Sequence, residues 1–202
     1  MTFALPLSLL VDKTEAMSDA APPSDEALVD ATIRGDDSAF AELMRRHKRR
    51  VFSAASRFAR DDHQMDDIAQ EVFVRAFKNL RNFRRDAPFE HWLSRITVSA
   101  CYDFLRRERR HRDTTSLEAV EYDLSDPSVE SEIAAGRARE VLSWAMRFLR
   151  PEEQLILTLC EIDERPIREV AELTGWSEAN VKVRAFRARA SLRQVFEDHA
   201  EA

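Results

Sequence analysis

Between Arg81 and Arg112 the chain interleaves arginines (Arg81, Arg84, Arg85, Arg95, Arg106, Arg107) with rings (Phe83, Phe89, Trp92, Tyr102, Phe104). These two side-chain types together suit nucleic acid, because a guanidinium meets phosphate and a flat ring stacks on an unpaired base. Nine arginines stand there against four acids, Asp86, Glu90, Asp103 and Glu108, a local excess of five positive charges. A second basic run, Lys182, Arg184, Arg187, Arg189 and Arg193, contains no acid. Directly before the first stretch lies Asp66-Asp67-Ile68-Ala69-Gln70-Glu71-Val72-Phe73, an acid-led amphipathic pattern that suits a protein partner. Catalytic chemistry has no foothold: there is no glycine-rich phosphate loop, no ligand-spaced histidine or cysteine cluster, and no nucleophile beside a base. The chain therefore reads as a binding protein, not an enzyme, with no cofactor and no metal.

The elements that must position these residues are helical. Three glycines in 202 residues and a predominance of Ala, Leu, Arg and Glu predict an all-α fold. The overall charge of −6 argues against nucleic acid, but the charges are segregated, and the pattern outweighs the total. Residues 1–23 read as a disordered leader, with Leu5 to Val11 too short to span a bilayer and Met17 an alternative start. Residues 24–112 form the first domain. Ser24-Asp25-Glu26 starts a helix that ends at Gly35, and Asp37-Ser38 starts a second, with Phe40, Leu43, Met44, His47, Val51, Phe52, Ala55 and Phe58 as its buried stripe. Asp61-Asp62 closes it. A third helix runs from about Met65 to Asn79, burying Ile68, Val72, Ala76, Phe77 and part of Phe73. After a loop to Pro88, a fourth runs from Phe89 to Arg110.

Residues 113–132 hold seven acids, no Lys or Arg and no periodicity, and are expected to be a flexible acidic linker. Residues 133–202 form a second small helical domain. A helix runs to about Phe148, Pro151-Glu152-Glu153 begins another, and Pro166 to Arg193 reads as helix, glycine turn, helix. Val170, Leu173, Trp176, Val181 and Ala185 would form the core of this helix-turn-helix, whose second helix is basic. Cys101 and Cys160 sit in apolar patterns and read as buried thiols of a reducing cytoplasm.

Three motifs in order now match a known family. The acidic helix, the stretch Phe83-Arg84 with Phe89-Glu90-His91-Trp92-Leu93-Ser94-Arg95-Ile96, and Val181-Lys182-Val183-Arg184-Ala185-Phe186-Arg187-Ala188-Arg189 together resemble an extracytoplasmic-function sigma factor of bacterial RNA polymerase, over about Asp25 to Asp198. The resemblance implies that Asp66, Asp67, Gln70, Glu71 and Phe73 meet the clamp helices of the polymerase β′ subunit, with the β flap as a second polymerase contact. It implies that Phe83, Arg84, Arg85, Arg95, Ser99, Asp103, Arg106 and Arg107 engage the minus-10 element, where a base is flipped from the non-template strand. Phe89 and Trp92 sit at core spacing. Arg106, Arg107, Arg109 and Arg110 would contact phosphate, positioning more than specifying. Ser177, Asn180, Lys182, Arg184, Phe186 and Arg187 would engage the minus-35 element in the major groove.

Two departures from the family pattern stand out. Ser99 occupies a position where many members carry asparagine, and Glu164 one where many carry glycine. The acidic linker would thread the polymerase cleft or serve as a solvated tether. A monomer when free, held by an anti-sigma factor, cytoplasmic and without membrane insertion, is the implied state. It would join the nucleoid in the holoenzyme, or be held at the membrane by that factor. A free-standing helix-turn-helix regulator of duplex DNA is the competing reading, which leaves the Asp66 to Arg110 segment without a purpose.

Overall fold

The computed structural model describes residues 22–114 and 131–200, and all regular structure among them is helical. The N-terminal domain is built from α1 (Asp25–Ile33), α2 (Asp37–Ala55), α3 (Asp62–Asn79) and α4 (Phe89–Thr114). Residues 1–21 of the expected leader and 115–130 of the expected linker lie outside the described residues; residues 113–114 and 131–132, expected in the linker, belong to α4 and α5.

The first three helices each start where a short oxygen-bearing side chain accepts an otherwise orphaned N–H. Ser24 Oγ accepts from Ala27 N at 3.2 Å, and Asp36 Oδ1 from Ser38 N at 2.9 Å and Ala39 N at 3.3 Å. Gly35, at φ +99°, makes the turn between them. The Asp61-Asp62 pair acts opposite to expectation. The carboxylate of Asp61 accepts from Gln64 N at 2.8 Å, so the pair opens α3 instead of closing α2, which ends at Ala55. A carboxylate favours the positive end of the helix dipole, and this explains the reversal. Asp25 ties α1 to α2, bonding His47 Nε2 at 2.7 Å and Arg46 Nη1 at 3.1 Å.

The apolar stripes meet as predicted, with Leu43, Val51, Ile68, Val72 and Leu93 each 2% exposed or less. Phe77 is the exception. It is 46% exposed, resting edge-on against Phe40 at 4.9 Å between centroids. The buried residues of α3 are Ile68, Ala69, Val72 and Ala76, so Ala69 belongs to its interior face and Phe77 does not.

The C-terminal domain comprises α5 (Ser131–Met146), α6 (Pro151–Leu157), α7 (Ile167–Thr174) and α8 (Glu178–Ala200). Pro151 fills the first helical position of α6, and the Glu153 carboxylate accepts from Arg150 N at 2.9 Å. A wide π turn, Thr158–Ile162, continues α6, with Asp163 N donating to Thr158 O at 2.9 Å. Gly175, at φ +74°, closes α7 by donating to Ala171 O at 2.9 Å, and Ser177 Oγ accepts from Asn180 N at 3.2 Å to open α8. Val170, Leu173, Val181 and Ala185 are buried as expected, and Trp176 is half-buried.

Glu164 sits at φ +51°. A side chain in this left-handed region crowds the backbone by roughly 1–2 kcal/mol, of which glycine's greater freedom in the unfolded chain cancels part. Glu164→Gly is therefore expected to stabilise the protein by up to about 1 kcal/mol. Chemical denaturation checks this, and a lower midpoint at unchanged slope would contradict it.

The two domains pack against one another, α4 lying along α6 and α7. Tyr102 meets Trp176 edge-on at 6.2 Å, Arg57 pairs with Asp163 at 3.3 Å, and His91 lies 3.6 Å from Glu172. Cys101 is wholly buried; burial, with the Asp163 carboxylate adding to it, pushes its thiol up to about 12. Cys160 is only half-buried, and its thiol is also raised, by burial and then by Glu161.

Candidate nucleic-acid interface

α3 presents Asp66, Asp67 and Gln70 to solvent, because Ile68, Ala69, Val72 and Ala76 turn the opposite face inward. Asp67 is within 3.4 Å of His63. Phe73 is half-buried against the core, leaving only part of its ring for a partner. Glu71 is half-buried too, and its carboxylate takes a bond from Arg75 Nε at 2.6 Å. The other end of that guanidinium, Nη1, bonds Asp103 on α4 at 2.7 Å. Burial alone would lower the Arg75 pKa, but its bonds to Asp103 and Glu71 outweigh that and raise it. One arginine thus joins the acidic face of α3 to the arginine-bearing helix.

On α4, Arg95, Ser99 and Arg106 recur at spacings of four and seven and are exposed, while Leu93, Ala100, Cys101 and Phe104 face the interior. Arg106 also lies over the Tyr102 ring at 5.8 Å. Arg107 is exposed near the helix end.

The structure moves Phe83 off the surface. Its ring is 8% exposed and packs on Phe89 at 5.7 Å and Trp92 at 5.3 Å. In this arrangement it is a floor beneath the loop, not a ring offered to a base. The short turn Leu80–Asn82 drives it inward, with Phe83 N bonded to Leu80 O at 3.1 Å. Arg84 remains exposed. Arg85 is exposed as well, at φ +62°, and pairs with Asp30 on α1.

The second basic surface is on α8. Val181, Ala185 and Ala188 pack inward, so Lys182, Val183, Phe186 and Arg187 point outward. Phe186, equally compatible with core and surface in the sequence, is 72% exposed. Arg184 is held twice: its Nε donates to Asn180 Oδ1 at 2.7 Å, and its guanidinium lies 4.3 Å from the Trp176 ring centroid. Arg189 is turned away from this surface by a pair with Glu161 at 2.7 Å. Behind α8, Leu157, Leu192 and Phe196 line an apolar groove of about 630 Å³ rimmed by Glu161 and Arg193.

Three residues here escape sequence reasoning: Asp30 under Arg85, Arg75 between two carboxylates, and Trp176 as a platform for Arg184. Only Arg75 leaves a local signal, its spacing of four from Glu71. The other contacts join separate elements and require the tertiary arrangement.

Residues 43–111 match the Sigma-70 region 2 family and residues 145–192 the Sigma-70, region 4 family. The chain is 33% identical to the ECF RNA polymerase sigma factor SigE of Mycolicibacterium smegmatis, covering 98% of this chain and 79% of that protein. It is 34% identical to SigM of Mycobacterium tuberculosis, covering 85% and 84%. Among solved structures it resembles CnrH, determined with the cytosolic domain of CnrY, at TM-score 0.55 and 25% identity over 87% of this chain and 99% of that one. RpoE of Bartonella quintana, determined with the anti-sigma factor NepR, shares the fold at TM-score 0.52 and 17% identity over 78% and 96%. The chain belongs to the extracytoplasmic-function sigma factors, alternative sigma subunits that direct RNA polymerase to promoters.

Proposed function

We propose a division of this work among the three exposed surfaces. The α3 face with Asp66, Asp67 and Gln70 grips the β′ clamp helices, and half-buried Glu71 and Phe73 complete its edge. The α4 face, with Arg84 and Arg85 from the preceding loop, holds the minus-10 element. The outward face of α8 reads the minus-35 element. Melting on this account is driven by binding energy for unpaired bases, with no bond made or broken by the protein.

One observation carries the reading. The acidic and basic faces adjoin within one small domain and are braced together through Arg75, so a grip on polymerase fixes the position of the DNA-facing helix. Ser99 is exposed between Arg95 and Arg106, with a short single hydroxyl where an amide would reach further and present its donor and acceptor on separate atoms, which favours a base preference of its own. The apolar groove behind α8 fits the β flap as its second polymerase contact. An anti-sigma factor holds the free chain in the cytoplasm; CnrH, similar over most of this chain, was determined with a second protein bound.

Replacing Asp67 and Gln70 together with alanine is expected to weaken binding to core polymerase at least tenfold, because two exposed interface side chains are lost without disturbing the α3 core. Fluorescence anisotropy with labelled chain measures this. Unchanged affinity would remove α3 from the polymerase interface.

A further inference from the structure

The outward face of α8 is not uniformly basic. Val183 is 49% exposed and Phe186 72%, one turn apart in the middle of that face, with Lys182 and Arg187 beside them. Burying either ring or methyl against water-free surface would be favourable, yet the fold leaves both in solvent and fills the inward positions with Val181, Ala185 and Ala188. Lysine and arginine on the same face favour a polyanion as its cover, and the place of α8 as the second helix after the Gly175 turn favours duplex DNA over an anionic membrane. In the duplex major groove one base alone offers an apolar group, the C5 methyl of thymine, and apolar side chains read it by contact. Trp176 and Asn180 meanwhile hold Arg184 at the edge of this face, so the helix is preset to enter with its apolar centre toward the base edges.

We propose that Val183 and Phe186 are specificity-determining residues that read thymine methyl groups in the minus-35 element. The inference rests on the assignment of α8 to that element and goes beyond it by naming the chemical group recognised. Phe186 spans the larger contact and takes the methyl nearer the centre of the site. Val183 takes a second, on a neighbouring base pair or the opposite strand.

The test uses holoenzyme assembled from core polymerase and the full chain. Promoter duplexes are first selected from a library randomised across the minus-35 region. Synthetic copies then replace each minus-35 thymine, one at a time and on either strand, with 2′-deoxyuridine, which removes the methyl and nothing else. At one or two positions uracil is expected to weaken half-saturation about fourfold, the effect of one lost apolar carbon. Phe186→Ala is expected to weaken binding to the thymine duplex and to become indifferent to uracil at one of those positions, with Val183→Ala indifferent at the other. Both side chains are exposed, so the variants should keep the wild-type circular dichroism and core-polymerase affinity. Equal binding of thymine and uracil duplexes by wild type at every position would overturn the proposal, as would a full uracil penalty in Phe186→Ala. Selection that enriches no minus-35 sequence at all would instead remove α8 from promoter reading, and the proposal with it.

Discussion

Lys182→Ala combined with Arg184→Ala is expected to lower holoenzyme occupancy of duplex promoter DNA about a hundredfold while leaving affinity for core polymerase unchanged. Each contact to a base edge or phosphate is worth roughly 1–3 kcal/mol, and 1.4 kcal/mol is a factor of ten. Lys182 is exposed and Arg184 half-buried beside Trp176, so the fold loses only the ring contact, about 0.5–1 kcal/mol. Because both are cations, the salt dependence of binding should flatten as well, its log–log slope falling by about one for each phosphate contact removed. Promoter binding and core binding measured side by side decide the matter. Loss of both would mean that the variant unfolds, and retention of minus-35 recognition would place the reading surface elsewhere.

The second large effect concerns the apposed domains. The minus-10 and minus-35 elements lie roughly 25 base pairs apart, about 85 Å at 3.4 Å per base pair. A compact chain of this length has a radius of gyration near 17 Å. With Tyr102 only 6.2 Å from Trp176, α4 and α8 cannot occupy both elements at once. The arrangement described here is thus one that promoter engagement must open. The contacts that hold it suit this: Arg57 is half-exposed where it meets Asp163 at 3.3 Å, His91 and Glu172 are both partly exposed at 3.6 Å, and such pairs are worth about 1 kcal/mol each, one ring pair about as much. Joining His91→Cys to Glu172→Cys with a short bismaleimide, in a chain with Cys101→Ser and Cys160→Ser, is expected to abolish promoter-dependent transcription. The same chain without cross-linker should stay active. Cross-linked chain should still bind core polymerase through α3, whose acidic face is exposed. Full transcription by the cross-linked chain would show that the domains need not separate.

Much of this was legible in the sequence because the signals are local. Ser24, Gly35, Pro151, Gly175 and Ser177 each mark a helix end through a bond or backbone angle within a few residues, and the structure places all of them so. The apolar periods of α2, α3 and α4 likewise identify the buried faces. Asp61 misled because an acid pair after one helix and before another can serve either, and only the geometry of its carboxylate with Gln64 N decides. Phe83 misled for a related reason. A ring between arginines suits both a base platform and a hydrophobic plug, and its burial against Phe89 and Trp92 depends on how the loop meets α4. Arg85 on Asp30 and Arg184 on Trp176 are relations between elements, for which the order of residues carries no periodic trace. The seam between the domains was the least legible part. It brings α4 against α6 and α7, helices far apart in the chain, and its side-chain contacts join residues that share no local pattern.

Promoter specificity is expected to belong to this chain only when polymerase holds it. The most direct measurement compares the isolated chain with the holoenzyme on one promoter fragment, obtained by mapping transcription starts after overexpression. The isolated chain is expected to bind this fragment no better than unrelated duplex, at the roughly 10⁻⁴–10⁻⁶ M of non-specific association. The holoenzyme should select the fragment and start transcription at one fixed nucleotide. Tight, sequence-specific binding by the isolated chain would show instead that it reads duplex DNA without polymerase.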